Sequence, residues 1–152
     1  MDFPKIYQRK GLIKKENIGF DQVVKHIDRA NIDLKVSRRN LTIDTEAAYN
    51  YAYLAMLRTG RALMFSCSYR PIDGRQHKTV VEFCEYILGK KYTVLVKHFD
   101  RMRQKRNKFT YDEPGLIVSD TETISALEKA EKFVREITKF IQGENPQAKL
   151  FS

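Results

Sequence analysis

The most basic stretch of the chain, Lys97 to Lys108 (KHFDRMRQKRNK), ends on Arg106 and Asn107, and its residue types invite a chemical reading first. Wound as a helix, Lys91–Tyr111 carries an apolar stripe of Leu95, Phe99, Met102 and Phe109, and Arg106 takes a place in that stripe that Leu or Ile should fill. A guanidinium there either snorkels along its own stem to water or projects into a groove or subunit interface to meet an anion. Asn107 is a poor helix former in a late turn, which favours the second reading. Lys97, Arg101, Lys105 and Lys108 share a different face, with Arg103 between them. Such a face is either solvated or a track for phosphates. Tyr111 follows Arg106 by five residues. A straight helix would leave the two about 140° apart. They converge only if the helix unwinds near Thr110 or if a twofold axis brings in a partner's residues.

Other groups carry weaker signals. His26, His77 and His98 are far apart in sequence, pair with no carboxylate or Cys at metal spacing, and read as exposed or capping histidines. Glu82 and Glu85 lack the Glu-x-x-His partners that a bundle di-iron site needs. Gly89-Lys90-Lys91 lacks the leading glycine of a phosphate loop and follows a helix. Cys67 and Cys84 form no CxxC and read as small buried hydrophobes. These patterns predict neither a metal nor a cofactor. Tyr49, Tyr51 and Tyr53 point to different sides of one helix, while Arg58 and Arg61, one turn apart, could face the same cleft as Arg106.

The elements that must position these residues are helical. Phe20, Val23, Val24, Ile27, Ala30 and Leu34 recur at three- and four-residue spacing and predict a helix over Gly19–Asp33. A second starts at a cap, Asp44 or Thr45, with Glu46 in its first turn, and runs to Ser66. Its small residues Ala48, Ala52, Ala55, Thr59 and Ala62 form a stripe that lets another helix approach closely. Arg70-Pro71-Ile72-Asp73-Gly74 reads as a turn. Gln76–Leu88 is a shorter helix closed by Gly89. Lys91–Tyr111 is halted by Pro114, and the last helix covers Asp120–Ile141 ahead of Gly143 and Pro146. Period-two alternation is nowhere sustained. The expectation is an all-α, up-and-down helical bundle of about five helices over 17–143, with a loose basic arm at 1–16 and a tail at 144–152.

Composition sets the outer limits. The chain has 152 residues with 28 Lys+Arg against 19 Asp+Glu, a formal net charge of +9, and suits one globular domain. The surplus lies in residues 1–41 and 92–118, while the segment from Ser119 onward is nearly balanced. No apolar run approaches the ~18–20 residues of a membrane span. Two unpaired cysteines fit a reducing cytoplasm. The excess charge points to an anionic partner in general terms, and no helix-turn-helix is evident that would direct it to DNA.

Arg106-Asn107-Lys108-Phe109-Thr110-Tyr111-Asp112 at the end of a basic helix resembles the signature of HEPN (higher eukaryotes and prokaryotes nucleotide-binding) domains. The Ala/Tyr-rich helix EAAYNYAYLAMLRTGRALMF resembles that family's second helix. The order of a short helix with His77 and Val80-Val81, the Arg-Asn helix and a long final helix is similar as well, so that the likeness covers about Ile18 to Ile141. The resemblance implies a small helical bundle that dimerises and binds RNA or a nucleotide. It also implies a cognate minimal nucleotidyltransferase as partner, the two forming a toxin–antitoxin-type pair. Active members of the family are metal-independent ribonucleases whose Arg is followed, after four residues, by a His. Here that position is Tyr111. A general base works best near the ambient pH, and bringing a phenol from about 10 to about 7 requires an environment worth about 4 kcal/mol. Two readings follow. One is a dimeric binding module with a degenerate nuclease motif, using Arg106, Asn107 and the Lys97, Arg101, Arg103, Lys105 and Lys108 charges. The other is a metal-independent endoribonuclease in which Arg106 holds the scissile phosphate, Asn107 orients it and Tyr111 replaces the His.

Overall fold

The helix richest in Ala, Leu and Met is the one the other long helices pack around. In the computed structural model, which describes residues 3–72 and 76–145, α3 spans Thr45–Ser66. The Asp44 carboxylate caps it, accepting from the Ala47 N–H at 3.1 Å, and Glu46 sits in the first turn where the helix dipole favours an anion. Its small stripe, Ala48, Ala52, Ala55, Thr59 and Ala62, is buried throughout. Ala55 meets Ala30 of α2 (Phe20–Asn40) and Val134 of α6 (Asp120–Glu144), so the backbones approach where side chains are shortest. On another side Gly60 faces α4 (Gln76–Leu88) and α5 (Thr93–Asn107). A Cβ there would stand 2.6 Å from Val80 Cγ1 and 3.2 Å from Cys84 Sγ.

Among the described residues the result is an all-α bundle of five long helices, as the periodicity predicts, with differences at its edges. α2 runs a further two turns past Asp33. That carboxylate is fully buried rather than at a solvated end: Arg58 of α3 donates to it at 2.5 Å, and Arg29 lies 3.5 Å away. One turn on, the buried Ser37 hydroxyl donates to Ala48 O at 2.6 Å. Two buried polar residues thus hold the α2–α3 contact in register, where a pattern of apolar spacing alone stops too early.

Residues 3–16, predicted as a loose arm, are laid down on the bundle. A short helix, α1 (Phe3–Arg9), rests on α4 through Phe3, which stacks on Tyr7 and Tyr86 and meets Phe83 edge-on. The Tyr7 hydroxyl bonds Glu82. Strand β1 (Ile13–Lys15) pairs antiparallel with β2 (Tyr69–Pro71), burying Ile13. Three-residue strands are too short to register as alternation, which is why the sequence pattern misses them. Arg70 and Pro71 of the predicted turn belong to β2; Asp73 and Gly74 lie outside the described residues, as does the tail from 146.

The basic helix also departs from a simple rod. Gly89 at φ +73° stops α4, a 3₁₀ turn at Lys90–Tyr92 follows, and α5 begins at Thr93. Beyond Asn107 the helix widens into a π turn, Lys108–Asp112, in which the Glu113 N–H bonds back to Lys108 O, one residue before Pro114. No helix among the described residues is long and apolar enough to cross a membrane.

Candidate anion-binding site

Arg106 leaves α5 toward α3. Its Nε donates to Asn50 Oδ1 at 3.2 Å, and its guanidinium lies near two rings, 5.9 Å from the centroid of Tyr53 and 5.5 Å from that of Tyr111. The wide turn makes the second contact possible. In a straight α-helix Tyr111 would point away, whereas five residues per hydrogen-bonded loop nearly close the circle. The side chain therefore does not snorkel to open water. It is half-buried, within cation–π distance of both rings.

The stripe that supplies Asn50 and Tyr53 continues along α3 to Arg61, which donates to Gln76 Oε1 at 3.3 Å at the start of α4. The next residue, His77, meets the buried Tyr53 hydroxyl through Nδ1 at 2.9 Å. Arg103, one turn before Arg106, is tied to Asp100 at 2.9 Å. Three helices thus bring Arg61, Arg103, Arg106 and His77 around the Tyr53 hydroxyl. Among the described residues neither Arg61 nor Arg106 has a carboxylate within ion-pair distance.

Electrostatics follow from that grouping. Burial first, then Arg61, Arg106 and Arg103, push His77 down from 6.5 to about 4, so its imidazole is neutral near pH 7. Burial lifts the Tyr53 phenol well above its usual range in spite of the nearby arginines, so it keeps its proton. Burial also lowers Arg61, with Arg58 adding to the effect, although Arg61 stays charged at any ordinary pH.

The remaining predicted residues separate into two groups. Asn107 is half-buried, and its side chain makes no hydrogen bond among the described residues. Lys97 and Arg101 are exposed on faces of α5 turned away from Arg106, Lys108 is exposed at the start of the π turn, and Lys105 pairs with Glu122 of α6 at 3.6 Å. Only Arg103 of the five lies beside the Arg106 cluster. Arg58 goes instead to Asp33. None of the histidines is an exposed cap: His26 bonds Gln22 O at 2.9 Å, His98 is half-buried, and burial lowers both. Cys84 is buried and Cys67 half-buried, and burial raises both thiols away from nucleophilic character. Among the described residues no three His, Cys, Asp or Glu side chains are grouped to hold a metal. No sequence motif singles out Asn50 or Gln76, and His77 reads there as an exposed or capping histidine. The available signal was an Asn at helical spacing from Tyr53 and Arg61 on an otherwise apolar helix.

No family model matches the chain, and no curated protein matches it significantly.

Proposed function

We propose that the chain is a HEPN-like helical module that dimerises and binds RNA or a nucleotide at the Arg106 site, as one half of a toxin–antitoxin-type pair with a cognate nucleotidyltransferase. The observation that carries this reading is the pair of half-buried guanidiniums, Arg61 and Arg106, that lack a carboxylate among the described residues and stand beside a neutral histidine. Uncompensated charge at a partly desolvated position is costly, and an anion relieves it. Dimerisation is supported by the exposed apolar side chains Ile43, Tyr111 and Ile117. Light scattering that returned a monomer at micromolar concentration would remove that part.

Binding is tested by fluorescence anisotropy with a labelled single-stranded RNA. Affinity should fall steeply with salt, and Arg106→Ala should weaken it by roughly tenfold or more, the usual worth of a charge-assisted hydrogen bond to phosphate. Salt-independent affinity that Arg106→Ala leaves unchanged would count against the reading.

One observation favours the second reading, a metal-independent endoribonuclease: the wide turn sets Tyr111 beside Arg106 at the spacing where active relatives in the resembled family carry a His. Cleavage that survives EDTA and is lost in Arg106→Ala would support it. Absence of cleavage, with Tyr111→His creating it, would support the degenerate site.

A further inference from the structure

We propose that Arg61, His77 and Arg106 together hold a terminal phosphate, the monoester end of a nucleotide or an RNA strand, in preference to a diester within a strand. The proposal rests on the anion-binding reading above and narrows its ligand.

The first argument is the inventory of donors. Arg106 is anchored by Nε on Asn50 and Arg61 by one terminal N–H on Gln76, so each guanidinium keeps further N–H groups uncommitted. The buried Tyr53 phenol keeps its proton and has one hydrogen-bond partner among the described residues, His77 Nδ1. If that phenol is to be satisfied it donates, the imidazole accepts at Nδ1, and the ring proton sits on Nε2. The nearby acceptors each hold a bond from within the cluster: Asn50 Oδ1 from Arg106, Gln76 Oε1 from Arg61, and the Asp100 carboxylate from Arg103 and Gln104. Arg61, His77 and Arg106, from three helices, therefore offer further N–H donors and no acceptor of their own, and the ligand that matches them is one that accepts.

The second argument is charge. Arg103 is balanced by Asp100, whereas Arg61 and Arg106 are not balanced by any described residue. His77, being neutral, adds a donor without adding a third unbalanced charge. A phosphate monoester carries about 1.5 to 2 negative charges near pH 7 on three terminal oxygens. A diester offers one charge on two free oxygens. Two guanidiniums and an imidazole N–H suit the former in both charge and oxygen count.

Anisotropy competition with the full chain decides the matter. The probes are one short single-stranded RNA made with a 5′-phosphate, with a 3′-phosphate, and with hydroxyls at both ends. A hydroxyl-ended strand two nucleotides longer matches the added charge, and a nucleoside 5′-monophosphate serves as a small competitor. One phosphorylated strand should bind roughly tenfold tighter than the longer hydroxyl-ended strand; which strand it is, and whether the mononucleotide competes, identifies the source of the group. Arg61→Gln and His77→Gln should each shrink that preference while the strands still bind. Equal affinity for all strands, with Arg106→Ala still weakening each, overturns the terminal preference and leaves phosphate binding standing. A preference that Arg61→Gln leaves intact also overturns it. Failure of every strand to bind in a salt-dependent way removes the underlying reading as well.

Discussion

His77 is held neutral by burial and by three arginines, and this has a consequence for stability that does not depend on any ligand. Its folded value of about 4 lies below the ordinary 6.5, so the unfolded chain takes up the proton first as the pH falls. Stability from this residue is complete above about pH 6.5, is lost progressively down to about pH 4, and is flat below. His26 and His98 are lowered in the same direction and add to the slope. Urea midpoints measured at pH 7 and pH 5 should therefore differ, with the protein weaker at pH 5. His77→Gln should make the difference smaller without abolishing it. A midpoint that is the same at both pH values would show that burial and the three arginines do not keep the imidazole neutral. Sequence alone gave no access to this behaviour. A histidine in a short helix looks like any exposed one until Tyr53, a turn away from Asn50 on another helix, is seen to reach it.

Helix positions were readable where apolar spacing carries the information, and less so where single polar residues do. Gln76–Leu88 and the start of α3 match their predicted limits because capping chemistry and periodicity agree there. The predicted end of α2 at Asp33 falls short of Asn40, because the helix continues on polar contacts: Arg58 and Arg29 make the Asp33 carboxylate an interior group. The unwinding near Thr110 was legible as a geometric requirement on Arg106 and Tyr111, and Lys108–Asp112 meets it within one chain. Gly60 was not read at all, since a glycine inside a helix is a propensity cost until its neighbour is known. Gly60→Ala would gain about 1 kcal/mol of helix propensity. Against this, the new methyl meets a β-branched Val80 that has little freedom to give way, together with Cys84, and overpacking of that kind costs about 1–3 kcal/mol. The expected balance is a net loss of about 1 kcal/mol, seen as a melting temperature lower by about 2–4 °C for a chain of this size. A variant that melts higher would mean that α4 can shift away from α3 at little cost.

At the scale of the whole molecule, the charge of +9 separates into charges that can touch one ligand and charges that can only attract it. Arg61, Arg103 and Arg106 surround Tyr53, whereas Lys97 and Arg101 lie roughly 140–180° around the α5 axis from Arg106 and Lys108 is exposed in the π turn. A ligand seated between Arg61 and Arg106 does not reach that outer face, yet the outer face still contributes to the field that an incoming anion experiences. The two sets should therefore separate kinetically. Replacing Lys97, Arg101 and Lys108 together by Gln should slow RNA association severalfold at low salt and leave dissociation almost unchanged. The effect should vanish near 1 M salt, where the Debye length is about 3 Å. Arg106→Ala should do the opposite, raising the dissociation rate while association changes little, because it removes a contact formed only after docking. Stopped-flow anisotropy at two salt concentrations measures both rates. If the triple variant instead speeds dissociation as Arg106→Ala does, the outer cations are contacts, and the strand must wrap around α5 from one face to the other.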